Sequence, residues 1–161
     1  MNANINIREI TSQDNTEVCT LITTVMTEFE CVGEGFSIND AEVKCMSEAY
    51  ADAQSYFLVV ELDGKIAGCG GIGPLKGSTD ICELRKMYFY PNLRGLGIGQ
   101  KVLDLCLEKA KSLGYKQCYL ETVARMTKAK KLYAKNGFKP LNQNVGNTGH
   151  SSCDSYYIKD L

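Results

Sequence analysis

The sequence has 161 residues, a formal net charge of −1 at pH 7 and 44% hydrophobic residues. A chain of this length can bury a sizeable core, and its near-zero charge gives no bulk attraction to nucleic acid or to a membrane surface. We therefore expect a single domain over residues 1–161, with neither nucleic acid nor membrane as a partner.

The N-terminal segment MNANINIREI is polar and lacks the apolar stretch of a secretory signal. The longest apolar runs, such as YFLVV, are far too short to cross a bilayer. These two features predict a soluble, cytoplasmic protein.

The eight cysteines are scattered along the chain without any C-x-x-C pair, and His150 is the only histidine. Structural zinc sites need several Cys or His ligands at short spacing. We therefore expect reduced thiols that pack as small hydrophobic side chains, and no metal site.

The first half of the chain contains strand and helix patterns in turn. INIREI alternates between polar and apolar residues and predicts a first strand. Apolar residues at helical spacing predict a helix from about Asp14 to Glu30 and a shorter one from Asp40 to about Ala51. SYFLVVELDGKIAGCGGIGPL then holds two apolar runs around Asp63-Gly64, a dipeptide typical of a hairpin turn.

The second half predicts a strand, a helix, a strand, a helix and two closing strands. ICELRKMYFY is a strand pattern that ends at Pro91, and a helix follows from about Gly97 to Leu113. KQCYLETV is the next strand, Thr127 to Asn136 is the last helix, and FKPL and SCDSYYIKDL are the last strands. The order β-α-α-β-β-β-α-β-α-β-β predicts an α/β sandwich around a mixed sheet rather than a doubly wound parallel one.

The segment NLRGLGIGQK places three glycines at alternate positions directly before a helix. A dinucleotide fingerprint would need glycine where Gln100 stands, and a P-loop would need Gly-Lys-Ser/Thr. A plain tight turn between strand and helix is the remaining alternative to an anion site. The free N–H groups and dipole of a helix N-terminus, flanked by Arg94 and Lys101, favour the anion.

Three motifs in this order resemble the GNAT N-acetyltransferase superfamily. The spacing Arg94-x-x-Gly97-x-Gly99 resembles the R/Q-x-x-G-x-G/A motif of that family. The strand ahead of it and the downstream segment LETVARMTKAKKLYAKNGF also look like the family's elements, so the resemblance covers about Glu83 to Phe138. It implies a mixed, mostly antiparallel sheet with helices on both faces and two splayed central parallel strands.

The resemblance also implies acetyl-CoA as the cosubstrate. The pyrophosphate of coenzyme A would bind the backbone amides of Arg94 to Gly99, and the pantetheine arm would pair with the preceding strand and enter the gap beside QCYLET. The implied coenzyme-binding residues are Met87, Tyr88, Phe89, Arg94, Gly95, Leu96, Gly97, Ile98, Gly99 and Lys101. The family pattern is broken at Met126, where many members carry an asparagine.

Acetyl transfer to an amine needs a base and benefits from an acid. An alkyl ammonium with a pKa near ~10.4 must lose a proton before it attacks, and a phenol can protonate a thiolate with a pKa near ~8.5. Tyr133 stands at the tyrosine of the family's L-Y-x-x-x-G-F segment, which implies the acid; a core tyrosine is the alternative. Glu83 matches a glutamate of the histone-acetylating branch and is the candidate base; an ion pair with a neighbour, or a carboxylate that attracts a cationic substrate, is the alternative.

Two further expectations concern the surroundings of these residues. Strict alternation along ICELRKMYFY would place Glu83, Arg85 and Met87 on one face of the strand and Lys86 on the other. His150 lies in the polar, glycine-containing segment GNTGHSSC, where we expect a surface residue.

The acceptor is the least determined part of the predicted site. Acidic and aromatic residues where the first helix ends would suit a small cationic amine. Glu121, on the strand after the glycine loop's helix, is a further substrate-binding candidate and a weaker candidate base than Glu83. The candidate substrate-binding residues are Glu28, Phe29, Glu30 and Glu121, with Glu34 and Phe36 close by in the sequence.

We expect the acetyl group to pass directly from acetyl-CoA to a primary amine in a ternary complex. Cys82 and Cys118 lie beside the predicted cleft, but no histidine precedes either of them as an activating base. The rival hypothesis is a coenzyme A-binding sensor or interaction module without catalysis. The oligomeric state stays open, because the C-terminal strand can complete the sheet within one chain or exchange in a homodimer.

Overall fold

The computed structural model describes residues 2–146 and 148–161, which form a seven-stranded sheet in the order β1-β2-β3-β4-β5-β7-β6. Neighbouring strands are antiparallel except for β4 and β5, which are parallel. This confirms the predicted mixed, mostly antiparallel sheet. The strands are β1 Ile5–Glu9, β2 Tyr56–Leu62, β3 Lys65–Pro74, β4 Ile81–Phe89, β5 Gln117–Thr122, β6 Lys139–Leu141 and β7 Ser155–Asp160.

The described residues also form α-helices α1 Asn15–Glu28, α2 Met46–Ala49, α3 Ile98–Ser112 and α4 Thr127–Lys135. The second helix is shorter than predicted, because its first part is a 3-10 turn at Ala41–Lys44. Val43 is buried in this turn and Met46 is buried at the start of α2, and Cys45 between them leaves helical geometry with φ −141° and ψ 54°. Within the described chain, no helix has the length and apolar character needed to span a membrane.

Helices cover both faces of the sheet, because their apolar stripes face it. One layer holds α1 and α2, and the opposite layer holds α3 and α4. The predicted apolar face of α1 is buried through Val18, Leu21, Ile22, Val25 and Met26, and that of α3 through Ile98, Val102, Leu103, Cys106 and Ala110.

The two parallel strands separate soon after they pair. β4 and β5 pair only at Ile81, Cys82 and Glu83, whose partners are Gln117, Cys118 and Tyr119. β4 continues alongside β3 as far as Phe89. From Leu84 onward, the edge of β4 that faces β5 therefore has no strand partner among the described residues, and two cavities lie at this gap.

A β-bulge in β4 overturns the predicted alternation of its side chains. The register with β3 shifts between Cys69 and Gly71, and Lys86 has a φ of 56°, in the left-handed region. Lys86 turns toward the α1 layer, where it pairs with Asp40 at 2.7 Å, and Met87 instead packs on the α3 side. The prediction that Met87 shares a face with Glu83 is wrong, because a bulge inserts one extra residue into the strand.

The C-terminal strand completes the sheet within its own chain. β7 lies between β5 and β6, with Glu121 opposite Tyr156 and Pro140 opposite Tyr157. The long segment between β6 and β7, whose described residues 142–146 and 148–154 we call the C-terminal loop, returns across the end of β5 that lies beside the gap.

Candidate active site

Two cavities meet where β4 and β5 separate. The outer cleft has a volume of about 460 Å³ and lies between the end of β4, the start of α3 and α4. The inner cavity has a volume of about 60 Å³ and lies between β4, β5, the segment after α1 and the C-terminal loop. Both are lined by Met87, Tyr88, Met126 and Tyr133.

A run of unpaired backbone N–H groups borders the outer cleft. Gly95 to Gln100 donate no backbone hydrogen bond within residues 2–146 and 148–161, whereas the flanking N–H of Arg94 donates to Pro91 at 3.2 Å. Gly95 and Gly97 have φ values of 79° and 77°, which other residues adopt only with strain. Successive N–H groups in such a turn, at a helix N-terminus, form an anion site. The run extends over residues 95–100 rather than 94–99, because the Arg94 amide is already used.

The side chain of Arg94 builds the wall of the outer cleft. Its guanidinium donates to both carboxylate oxygens of Glu28, at 2.6 and 2.9 Å, and its Nε donates to the Phe89 carbonyl at 3.0 Å. The same group lies over the ring of Phe29, 5.4 Å from the centroid. Arg94 therefore fastens the end of α1 to the end of β4, and its charge is balanced by Glu28.

Positive charge at the outer cleft comes from α4, which sequence reasoning did not single out. Lys128 and Lys135 line the cleft, and the segment TKAKKLYAK contains no acidic residue. The side-chain amides of Gln100 and Asn136 donate to each other at 2.7 and 2.9 Å and join α3 to α4. The basic composition of α4 could have indicated the lysines from the sequence. Nothing in the sequence indicates that the amides of Gln100 and Asn136 pair.

Most of the predicted coenzyme-binding residues are brought together here. The outer cleft is lined by Met87, Tyr88, Phe89, Arg94, Gly95, Gly97, Ile98 and Gly99. Leu96 and Lys101 are exposed and lie outside the lining, although the Leu96 amide belongs to the unpaired run. The binding roles themselves stay predictions.

Tyr133 lies at the junction of the two cavities. Its side chain is 6% exposed and packs against Phe138 and Tyr157, with ring centroids 5.8 and 6.4 Å away. Burial raises the pKa of the phenol, and the thiols of Cys118 and Cys106 add to this effect. The hydroxyl therefore keeps its proton at neutral pH, as a proton donor must before the reaction.

Met126 is the other junction residue at which the chain departs from the family pattern. It precedes α4, and the Thr122 hydroxyl lies 3.6 Å from its sulfur. A thioether is a weak acceptor and no donor. This position therefore cannot supply the amide contacts of an asparagine.

Glu83 is buried beside the inner cavity, with 4% of its surface exposed. The Nε of Arg85 donates to its carboxylate at 2.5 Å, so the ion pair considered as an alternative is present. Burial raises the pKa of Glu83, and the nearby charges of Arg85 and His150 lower it by less, so the net direction is upward. A carboxyl with a raised pKa beside a cavity has the property required of a general base.

Glu121 faces the same cavity from β5 but has a different environment. It accepts hydrogen bonds from the hydroxyls of Tyr119, at 2.7 Å, and Thr148, and Nδ1 of His150 lies 3.4 Å away. Burial raises the pKa of Glu121, but these three partners outweigh it and hold the pKa below its ordinary value. Glu121 is therefore an ionised carboxylate with its acceptor sites engaged.

His150 is not the surface residue that we expected. Its side chain is 11% exposed, and Nε2 lies 2.9 Å from the carboxylate of Asp40. Burial lowers the pKa of His150, but its hydrogen bonds with Asp40 and Glu121 more than compensate and raise it to about 9. Lys86 contacts the same oxygen of Asp40, at 2.7 Å. Asp40 is separated from His150 by 110 residues, so no local pattern could reveal this contact.

The four predicted acceptor residues lie in different places. Phe29 lines the outer cleft, Glu28 pairs with Arg94 of its wall without lining it, and Glu30 lines neither cavity. Glu121 lines the inner cavity, together with Phe36 from the segment after α1. The helix ends at Glu28 and the backbone reverses at Glu30, with a φ of 58°, so consecutive residues point to different sites.

Glu83, Glu121 and His150 have ligand-type atoms within 4.8 Å of one another. A histidine binds a metal through a deprotonated nitrogen, whereas His150 has a raised pKa and directs its two nitrogens at carboxylates. We therefore interpret the three residues as part of a charge network.

A sequence model of the acetyltransferase (GNAT) family matches residues 21–138. YjgM of Escherichia coli, an uncharacterized N-acetyltransferase, is 37% identical over 157 residues, which cover 96% of this chain and 94% of that protein. An acetyltransferase of the GNAT family from Staphylococcus aureus Mu50 has a similar structure, with a TM-score of 0.85 at 22% identity over 98% of this chain and 99% of that chain. YncA of Salmonella typhimurium, solved with its cofactor acetyl-CoA, has a TM-score of 0.78 at 18% identity over 98% and 94% of the two chains.

Proposed function

The chain belongs to the acetyltransferase (GNAT) family, and we propose that it transfers the acetyl group of acetyl-CoA directly to a primary amine in a ternary complex. The observation that carries the proposal is the meeting of the two cavities at Tyr133, with unpaired amides at one end and a buried carboxyl at the other. This arrangement offers separate places for an anionic donor and an acceptor.

The outer cleft fits the donor. Its six unpaired amides, from Gly95 to Gln100, suit a pyrophosphate, and Lys128 and Lys135 suit further phosphate charge. The unpaired edge of β4 at Met87, Tyr88 and Phe89 offers main-chain groups to an extended amide-containing arm. Acetyl-CoA supplies the acyl group as a thioester.

The inner cavity supplies the proton acceptor. Glu83 would take one proton from the substrate ammonium, which leaves a neutral amine with a free electron pair. The amine nitrogen forms its bond to the acyl carbon as the carbon–sulfur bond breaks. Tyr133 donates its hydroxyl proton to the departing sulfur and regains one from the amine nitrogen. The products are an N-acetyl amide, a thiol and one released proton.

Glu83 fits the role of base better than Glu121 does. The pKa of Glu83 is raised by burial, whereas hydrogen bonds hold the pKa of Glu121 down despite burial. The basicity of a carboxylate increases with its pKa, so the Glu83 carboxylate accepts a proton more readily. Glu121 instead has the properties of a fixed negative charge on the cavity wall.

Free-thiol release from acetyl-CoA across a panel of amines tests the proposal. The panel contains polyamines, lysine analogues, amino acids and a lysine-containing peptide. We expect turnover with at least one of them. If none supports turnover while coenzyme A still raises the melting temperature, the chain is a coenzyme A-binding sensor instead.

Mass spectrometry after incubation with acetyl-CoA alone tests the direct mechanism. We expect no acetyl adduct on a cysteine; a stable adduct that transfers to the amine would contradict direct attack. A cytoplasmic location, a single domain over residues 1–161 and the alternative of a homodimer stay predictions from the sequence.

A further inference from the structure

The C-terminal loop is fastened across the inner cavity by polar contacts to distant segments. His150 reaches Asp40 and Glu121, and the Val145 N–H donates to the Tyr119 hydroxyl at 3.0 Å. Ser152 donates its hydroxyl to the Glu34 carbonyl at 2.7 Å and its N–H to the Gly35 carbonyl at 3.1 Å. Among the side chains in these contacts, His150 is the one whose ordinary pKa, 6.5, lies nearest to neutrality.

Charged groups face His150 from every element packed around it. Asp40 comes from the segment after α1, Glu83 and Lys86 from β4, and Glu121 from β5. Glu42 pairs with Lys86, Arg85 with Glu83, and Tyr119 hydrogen-bonds to Glu121, so these three belong to the same charge network one contact further from the imidazole. The four carboxylates outnumber the two cationic side chains of β4. The imidazole therefore sits where a positive charge is favoured, and its two nitrogens each have a carboxylate partner.

We propose that His150 is a positioning residue of this site: its imidazolium ties the C-terminal loop to Asp40 and Glu121 and leaves Glu83 as the carboxyl that faces the reacting amine. The proposal rests on the proposed acetyl transfer. His150 acts through its two carboxylate partners and through its charge, and it exchanges no proton with the substrate.

The charge of His150 separates the roles of the two cavity carboxyls. Glu121 stays ionised because His150, Tyr119 and Thr148 hydrogen-bond to it. Glu83 feels the same positive charge at longer range, which prevents burial from raising its pKa further. Without the imidazolium, both carboxyls would compete for a proton in one small cavity, and the base would be protonated up to a higher pH.

The first experiment is an NMR titration of the tag-free full-length chain. Because the chain has one histidine, its imidazole signals belong to His150 without assignment. We expect a midpoint near 9, which decreases in Asp40→Asn and in Glu121→Gln. A midpoint at or below 6.5, or one that neither substitution changes, would overturn the proposal.

The second experiment is the pH profile of kcat/KM for the amine. His150→Gln keeps a hydrogen-bonding side chain and loses the charge that lowers the pKa of Glu83. We therefore expect the acidic limb of the profile to shift to higher pH by about one unit. Ser152→Ala is the matched control, because it removes a loop contact without changing any charge, and its limb should stay in place. A merely structural His150 would lower activity at every pH without moving the limb.

An unmoved limb in His150→Gln would overturn the positioning role even if the NMR midpoint lies near 9. If that variant does not fold, His150→Asn gives the same test, because it also removes the charge of the imidazole and keeps a hydrogen-bonding side chain. Absence of turnover by the wild-type chain would contradict the proposed function instead, and the imidazole titration would still decide whether the bridge exists.

Discussion

The outer cleft and the inner cavity are built in different ways. The outer cleft takes its binding groups from the backbone of a continuous segment, residues 95–100, at the start of one helix. The inner cavity takes them from side chains of β4, β5, the segment after α1 and the C-terminal loop. The first is therefore visible as a motif, whereas the second exists only after folding has brought distant charges together.

The largest effect is expected from a substitution that changes the inner cavity alone. Glu83→Gln removes the proposed base, so kcat should fall by about 10² to 10⁴ while coenzyme A binding stays unchanged. Steady-state kinetics and calorimetric titration with coenzyme A measure the two quantities. Glu48→Gln, at an exposed position of α2, is the matched control and should keep wild-type kcat. Equal loss of kcat and of coenzyme affinity would show that the two sites do not separate in this way.

The pH dependence of stability should be a property of the inner cavity. The pKa of His150 is raised from 6.5 to about 9 on folding, so its stabilising contribution is complete below pH 6.5 and is lost as the pH rises through 9. The free energy of unfolding of the wild type should exceed that of His150→Gln by up to about 3 kcal/mol at pH 6. Urea unfolding from pH 6 to pH 10 measures the difference. A difference that does not change over this range would contradict a charged His150.

The junction of the two sites should show an intermediate effect. Tyr133→Phe removes the proposed proton donor and keeps the packed ring, so kcat should fall about tenfold to a hundredfold, at or below the lower end for acid catalysis. The effect is smaller because a thiolate is already a good leaving group. Tyr157→Phe alters the same aromatic cluster away from the junction and should have little effect. An unchanged kcat in Tyr133→Phe would leave Tyr133 as a core residue.

The smallest expected effect concerns the outer cleft. Gly97→Ala places a side chain at a φ of 77°, which costs about 1–2 kcal/mol and disturbs the run of amides. The KM for acetyl-CoA should rise about tenfold, with kcat little changed. Gly114→Ala, at a φ of 90° at the other end of α3, carries the same strain without touching the cleft. If the two variants have similar melting temperatures and only Gly97→Ala raises KM, the loop acts in binding. If KM rises in both variants, the effect comes from lost stability and the prediction is contradicted.

The prediction of the fold succeeded where periodicity governs the structure. The stripes of α1 and α3, the hairpin at Asp63-Gly64 and the order of the elements along the chain follow from apolar spacing and turn residues. It failed where a tertiary contact overrides the pattern. Lys86 adopts a left-handed conformation and turns to Asp40, so β4 departs from alternation at Met87.

The residues of the candidate site also divide into those that a local motif indicates and those that only a tertiary contact explains. Gly95, Gly97 and Tyr133 stand in motifs of adjacent residues, so their positions could be predicted. Arg94 was also identified, but its partner Glu28 is 66 residues away and turns a free cation into a structural ion pair. Glu28 was predicted to bind the acceptor amine, because no local pattern in the sequence shows that the end of α1 packs against Arg94.

The sequence by itself determined the family, the order of the elements and the loop that precedes α3, because backbone conformation and amphipathic spacing depend on neighbouring residues. The tertiary structure decided the electrostatics of the inner cavity. Asp40, Glu121 and His150 are far apart in the chain and come into contact only in the folded protein. The pKa of each group depends on which charges lie within a few ångströms and on how much water reaches it, and folding alone sets both.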